Sequence, residues 1–83
     1  MHVEIQPSYL FVDIPYGLNY VAKNVGAIEF NRPRKMWKFP NNIYVMRDLM
    51  RPLPQLMQNQ EFLEYGKRIR AQMDHLLYLK SFS

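Results

Sequence analysis

The chain has 83 residues, enough for one small domain, and a domain of this size buries only about 60% of the surface that its unfolded chain exposes. It has no cysteine, which excludes disulfides, thiolate metal sites and cysteine nucleophiles, and its two histidines, His2 and His75, lie at opposite ends. Its net charge of +4 favours nucleic acid or an acidic surface as the partner. We therefore expect a binding domain that is not an enzyme, with no cofactor and no metal.

The first third of the chain predicts two strands and a short helix. Apolar residues alternate over residues 9–14, which is the period of a strand, and residues 3–5 form a shorter β-like stretch before the Pro7-Ser8 turn, so together they predict a hairpin. Apolar residues over 18–25 then follow helical spacing. Gly26 stands where a left-handed cap would end that helix.

The middle of the chain predicts a second hairpin and a second helix. Residues 27–30 and 36–39 are strand-like, and residues 31–35 form a turn in which Pro33 fixes the backbone angle φ. Either Asn41 or Asn42 caps the next helix, whose apolar positions extend from Ile43 to Met50. Pro52 and Pro54 end this helix.

The last third predicts one long amphipathic helix over residues 55–79. Its apolar stripe falls at three- and four-residue steps and contains Phe62, Gly66, Ile69, Met73 and Leu76. A glycine inside a helix favours a close helix crossing or a break at that point. The stripe either folds back over the sheet, or part of the helix projects and binds a partner helix or a second copy of the chain.

The complete pattern predicts an α+β fold, with a small, mostly antiparallel sheet of three or four strands. Two helices pack on one face of this sheet, and a long C-terminal helix follows. The composition changes at Pro52, where β-containing sequence gives way to helix. We accordingly divide the chain into an α+β domain over residues 1–54 and a C-terminal helical segment over 55–83, which either packs on the sheet or serves as a connector.

The positive charge is concentrated in the middle of the chain. Residues 30–51 carry six cations against the single acid Asp48, whereas residues 1–29 have a net charge of −2 and residues 53–83 a net charge of +1. If the second helix packs against the second hairpin, the six cations form one patch suited to phosphate groups. These cations are Arg32, Arg34, Lys35, Lys38, Arg47 and Arg51.

Residues 9–54 carry a motif typical of one family. It has two parts, Phe11-Val12-Asp13-Ile14-Pro15-Tyr16 and, after a helix and a strand, Arg34-Lys35-Met36-Trp37-Lys38-Phe39-Pro40. With the helix that follows, this pattern resembles the HARP domain, an accessory domain of the annealing helicases among the Swi/Snf-type ATPases. Bacterial and viral helicases of that broad class carry similar domains before their motor. The sequence contains no nucleotide-binding loop, so the chain would be a fragment or a stand-alone version.

The resemblance implies recognition of single-stranded or branched DNA, and an association with a helicase motor or another protein partner. The six cations would contact phosphates, and Tyr16 would either stack on a base or pack against the domain. We expect Trp37 to be a core residue. No segment resembles a secretory signal or a membrane span, so we expect a cytoplasmic or nucleoid-associated protein.

The sequence also allows a second function, that of a small adaptor or inhibitor. A partner protein would then dock on the C-terminal helix, and the basic patch would contact an acidic protein surface. The partner-binding residues would be those of the apolar stripe: Phe62, Ile69, Met73 and Leu76. The oligomeric state stays open.

Overall fold

Four strands form one antiparallel sheet in the order β1-β2-β4-β3. In the computed structural model, which describes the backbone of residues 1–81 and the side chains of residues 1–75, these strands are β1 (Val3–Ile5), β2 (Tyr9–Val12), β3 (Glu29–Asn31) and β4 (Met36–Pro40). The helices are α1 (Asn19–Val25), α2 (Ile43–Met50) and α3 (Gln60–Ser81). The predicted α+β fold class is therefore confirmed.

The two faces of the sheet differ because successive side chains of a strand point to opposite sides. Leu10, Val12 and Phe39 are fully buried on one face, and they belong to the same apolar core as residues of all three helices. The helical members of this core are Val21, Ala22, Met46, Leu49 and Phe62. We call the opposite face the open face, because no helix contributes to it in the described residues.

The caps of α1 and α2 follow the sequence prediction. Gly26 ends α1 with φ of 98°, a left-handed conformation that glycine adopts without the clash a Cβ would cause, and its N–H donates to the carbonyl of Ala22. Of the two candidates for the N-cap of α2, the structure uses Asn42, whose Oδ1 accepts from the N–H of Val45 at 2.9 Å. Such a cap contributes about 1 kcal/mol.

The prediction of one helix from residue 55 is wrong in its first turn. Pro54–Gln58 forms a 3₁₀ turn that buries Leu56, and α3 begins only at Gln60. Asn59 separates the 3₁₀ turn from α3, because its Oδ1 accepts from the N–H of Phe62 at 2.9 Å, as an N-cap does. Its Nδ2 donates to the carbonyl of Met1 at 3.0 Å.

The core crosses the sequence boundary at Pro52. Leu53, Leu56 and Phe62 are fully buried and belong to the same cluster as the sheet residue Phe39. Residues on both sides of the boundary therefore share one hydrophobic core, and the start of the C-terminal segment is part of it.

Helix α3 leaves the core as it proceeds. Phe62 is fully buried, Tyr65 and Ile69 are half-buried against the core, and residues 70–72 are exposed. Asn41 strengthens the docked part, because its Nδ2 donates to the hydroxyl of Tyr65 at 2.7 Å. The first turns of this helix therefore pack back on the core, and residues 70–72 leave it.

None of the helices, as far as the structure describes them, combines the length and the apolar character that crossing a membrane requires.

Candidate binding surfaces

The β3–β4 turn is a rigid support for its cations. Pro33 lies within it, the Oδ1 of Asn31 accepts from the N–H of Arg34 at 3.0 Å, and the N–H of Lys35 donates to the carbonyl of Arg32 at 3.2 Å. Lys35 has a φ of 56°, a left-handed conformation that costs a non-glycine residue about 1 kcal/mol. The surrounding hydrogen bonds hold this conformation, so the turn has one defined shape.

Arg34 is held against the open face of the sheet. Its Nε donates to Oε2 of Glu4 at 2.8 Å, and its guanidinium lies 4.4 Å from the centre of the Phe11 ring. This hydrogen bond, together with one from Gln6, lowers the pKa of Glu4 below its ordinary value. Arg34 covers Phe11, which is almost fully buried although it lies on the open face.

Lys38 lies beside Phe11 on the same face. Strand register pairs Lys38 with Phe11 on one side and with Glu29 on the other, so these residues form a row across the sheet. The Nζ of Lys38 is 3.8 Å from Oε1 of Glu29 and 4.0 Å from the centre of the Tyr9 ring. Two of the four cations around the turn therefore already have carboxylate and aromatic partners.

The other two cations of the turn face solvent. Arg32 and Lys35 are exposed, and neither forms a salt bridge within the described part of the chain. We call Arg32, Arg34, Lys35 and Lys38 the turn cluster. Within the described residues, Arg32 and Lys35 lie at the tip without a salt bridge, whereas Arg34 and Lys38 lie against the sheet and are paired.

Tyr16 lies at the end of the sheet that carries the turn cluster. Val12, the last residue of β2, pairs with Trp37 near the start of β4, so the chain after β2 leaves the sheet beside the turn. Tyr16 itself is 90% exposed. Trp37, in contrast, is half-buried, with its ring centre 5.2 Å from that of Phe30 and its Nε1 donating to Oδ1 of Asn19 at 3.4 Å. Trp37 is therefore a packing residue.

The six central cations do not form a single patch. Arg47 lies on α2 and Arg51 is the C-cap of that helix, which packs on the face of the sheet that carries Phe39. Lys38 precedes Phe39 in β4 and therefore points to the opposite face. Helix α2 therefore packs against the second hairpin on the Phe39 face, and this packing does not bring its cations next to Lys38.

Arg47 and Arg51 instead line an open groove between α2 and α3, with a volume of about 800 Å³. Gly66 of α3 lies in this groove, and a Cβ placed on it would be 3.4 Å from Cε of Met46, so the two helices approach closely there. The groove surface is mainly apolar. Its apolar lining comprises Ile43, Met46, Met50, Phe62, Leu63 and Met73.

Two further cations complete the rim of this groove. Lys67 and Arg70 line it from α3, opposite Arg47 of α2 and its C-cap residue Arg51. The sequence did not single out these two cations, because residues 53–83 have a net charge of only +1. The three-residue spacing of Lys67 and Arg70 does, however, place both on one side of a helix. We call Arg47, Arg51, Lys67 and Arg70 the groove cluster.

The residues predicted to bind a partner have different positions. Phe62 is fully buried, so it is a core residue, which corrects its assignment to a partner-binding face. Ile69 is half-buried against the core, and Met73 is half-buried and lines the groove. Leu76 lies outside the residues whose side chains the structure describes.

Within the described residues, no group of three or more His, Asp or Glu side chains is placed to hold a metal ion. No family model, curated protein or solved structure matches the chain. The candidate surfaces are therefore interpreted from their own geometry.

Proposed function

We propose that this chain is a non-catalytic nucleic-acid-binding module of the HARP type, and that the turn cluster contacts the phosphates of single-stranded or branched DNA. The observation that carries the proposal is a hydrogen-bonded turn with Arg32 and Lys35 exposed to solvent, at the end of the sheet where the chain leaves β2 toward the exposed Tyr16. The role as a helicase accessory rests on the resemblance of residues 9–54 to the HARP domain.

The exposed tip of the turn suits phosphate for an electrostatic reason. Each phosphate that a cation neutralises releases condensed counterions from the nucleic acid, and this release favours binding at low salt. Because hydrogen bonds and Pro33 fix the turn, little backbone entropy is lost when Arg32 and Lys35 bind.

The paired cations extend the same surface. An exposed ion pair contributes only about 0–1 kcal/mol, so a phosphate can replace Glu4 as the partner of Arg34 or Glu29 as the partner of Lys38. Arginine also binds phosphate through two hydrogen bonds. A nucleic acid that lies along the tip can thereby reach all four members of the turn cluster.

Tyr16 adds a preference for unpaired bases. A base that stacks on an exposed aromatic ring gains about 1–3 kcal/mol, and duplex bases are not available for such stacking. Since Tyr16 lies at the same end of the sheet as the turn, a strand bound by its phosphates can place a base on that ring.

Fluorescence anisotropy with labelled single-stranded, duplex and forked DNA at two salt concentrations tests this function. We expect binding at low salt that weakens steeply at high salt, and a loss of affinity of about tenfold or more in the variant Arg32→Glu/Lys35→Glu. The matched control is Lys23→Glu/Arg68→Glu, which makes the same change in net charge at two exposed positions outside the turn. Absence of binding at low salt contradicts the proposal, and an equal loss in both variants reduces it to a general effect of net charge.

A second function, that of a protein-interaction adaptor, is favoured by one observation, the apolar groove between α2 and α3. Nucleic-acid phosphates gain nothing from an apolar floor, whereas an amphipathic helix does. In this second proposal a partner protein docks on the helical side of the chain, away from the turn cluster.

A further inference from the structure

The groove between α2 and α3 exposes apolar surface that the core does not use. Ile43 and Met50 on α2 and Leu63 and Met73 on α3 are each only half-buried, although all four line the groove. Gly66 contributes no side chain to the lining, and Cε of Met46 lies 3.4 Å from the position that a Cβ on Gly66 would take. The groove therefore has room for apolar side chains of a second molecule.

The rim of this groove is strongly basic. Arg47 on α2 is four residues before Arg51, the helical C-cap of α2, and Lys67 and Arg70 are three apart on α3, so each pair lies on one side of its helix. Asp74 is the one acidic residue among the described residues of the lining. Asp48 is near Arg47, at 3.5 Å, but both side chains are largely exposed, and such a pair contributes little.

The charge decides between the possible occupants. A second copy of the chain would carry the same net charge of +4 and the same basic rim, so the two rims would repel each other. Nucleic acid would satisfy the cations but not the floor, where Tyr44 is the sole aromatic side chain in the described lining on which a base can stack. An occupant that is apolar on one side and acidic along its borders satisfies both features.

The dimensions set the length of that occupant. Helix α2 has 8 residues and is about 12 Å long, and the part of α3 from residue 63 to residue 74 is about 17 Å long. Two packed helices offer a third one a groove between them at an interaxial distance of about 8–10 Å. A helix of about three turns fills the groove described here.

We propose that the α2–α3 groove binds an acidic amphipathic helix of a partner protein. The partner's apolar residues, at spacings of three and four, pack on Met50, Leu63 and Gly66, and its flanking carboxylates pair with the groove cluster. This inference rests on the adaptor function, the second of the two proposed above, and is independent of nucleic-acid binding by the turn.

The probe for this site is a labelled synthetic helical peptide of about four turns, with leucines at i, i+3, i+4 and i+7 and glutamates at the flanking positions. A second peptide keeps the leucines and replaces the glutamates by lysines. We expect the intact chain to bind the glutamate peptide at least about tenfold more tightly than the lysine peptide, because four cations border the groove.

Charge exchange makes the experiment specific. The variant Arg47→Glu/Arg51→Glu loses affinity for the glutamate peptide by about tenfold and gains affinity for the lysine peptide, whereas Lys23→Glu/Arg68→Glu, with the same net charge, changes neither to that extent. Leu63→Ser lowers the affinity for both peptides, because it removes apolar contact from the floor of the groove. Circular dichroism of each variant verifies that the fold is intact.

Three outcomes overturn the inference in different ways. Equal binding of the two peptides leaves the groove as a docking site but rules out an acidic partner. If neither peptide binds, the inference fails, and the adaptor function is left without this groove as its docking site. If Arg47→Glu/Arg51→Glu weakens DNA binding more than peptide binding, the groove is a nucleic-acid site.

Discussion

The turn cluster and the groove cluster each contain four cations, yet their surroundings are opposite. In the turn cluster, Arg34 and Lys38 are paired with Glu4 and Glu29, and the other two stand at a polar tip. The groove cluster surrounds an apolar floor and has one acid, Asp74, in the described lining. Our two proposals rest on this difference in the surface between the cations, and not on the number of cations.

The largest expected effect comes from a residue on which both regions depend. Replacing Phe62 by alanine removes a fully buried ring that joins α3 to the sheet, and we expect a loss of about 3–5 kcal/mol in the free energy of unfolding. Urea denaturation followed by circular dichroism and tryptophan fluorescence measures it, with Phe62→Leu as the milder control. If the Trp37 signal kept its midpoint while helicity fell, the turn and the groove would not share one cooperative core.

A smaller effect separates the two regions. Asn59→Ala removes the N-cap of α3 and the bond to the carbonyl of Met1, and we expect a loss of about 1 kcal/mol. Since Asn59 precedes α3, amide hydrogen exchange is expected to accelerate in the first turns of α3 more than in β4. Asn59→Asp retains the acceptor and is the matched control. Uniform acceleration over the chain would contradict a local role.

A still smaller change acts on the groove alone. Gly66→Ala introduces a Cβ about 3.4 Å from Cε of Met46, and the end of that flexible side chain can move. Alanine is favoured over glycine in a helix by up to about 1 kcal/mol, so we expect a slight stabilisation in thermal denaturation. The peptide affinity falls slightly because the groove floor rises, and the DNA affinity stays the same. A destabilised variant would show that α2 and α3 have no room to adjust.

The smallest effect is confined to the turn cluster. Glu4→Gln removes the carboxylate that holds Arg34, so we expect DNA affinity to rise by about twofold and peptide affinity to be unchanged. Stability also changes with pH. The pKa of Glu4 is lowered, so the contribution of its charged form is complete above its ordinary value of 4.5 and is lost as the pH falls through the lowered pKa.

The stability measurement of Glu4→Gln therefore has a defined sign. The wild type loses stability more steeply than the variant as the pH falls below 4.5, and the two curves run parallel above it. Asp13→Asn, at an exposed carboxylate without a salt bridge in the described residues, is the control. Parallel curves at all pH values would show that the pair with Arg34 is not formed in solution.

The sheet and the caps were predictable because their causes are local. Alternation of apolar residues located β2. Gly26 indicated the left-handed cap that ends α1, and an asparagine before an apolar helical run indicated the cap of α2. The start of α3 was not predictable from the apolar stripe, because the 3₁₀ turn before it continues the same apolar spacing through Leu56.

The site was only partly predictable. Alternation in β4 places Lys38 and Phe39 on opposite faces of the sheet. Once the helices are assigned to the Phe39 face, the sequence therefore already separates the cations of the turn from those of α2. The groove cluster did not follow from the sequence, because Lys67 and Arg70 become neighbours of Arg47 and Arg51 only through the packing of α3 beside α2 at Gly66.

The central claim is that the two basic regions bind different ligands, and amide NMR of one labelled sample tests it most directly. Titration with single-stranded DNA is expected to shift the resonances of residues 31–36 and Tyr16, and titration with the glutamate peptide those of α2 and of residues 63–74. Each ligand is expected to bind in the presence of the other. Shifts from both ligands on the same residues, or mutual displacement, would contradict the claim.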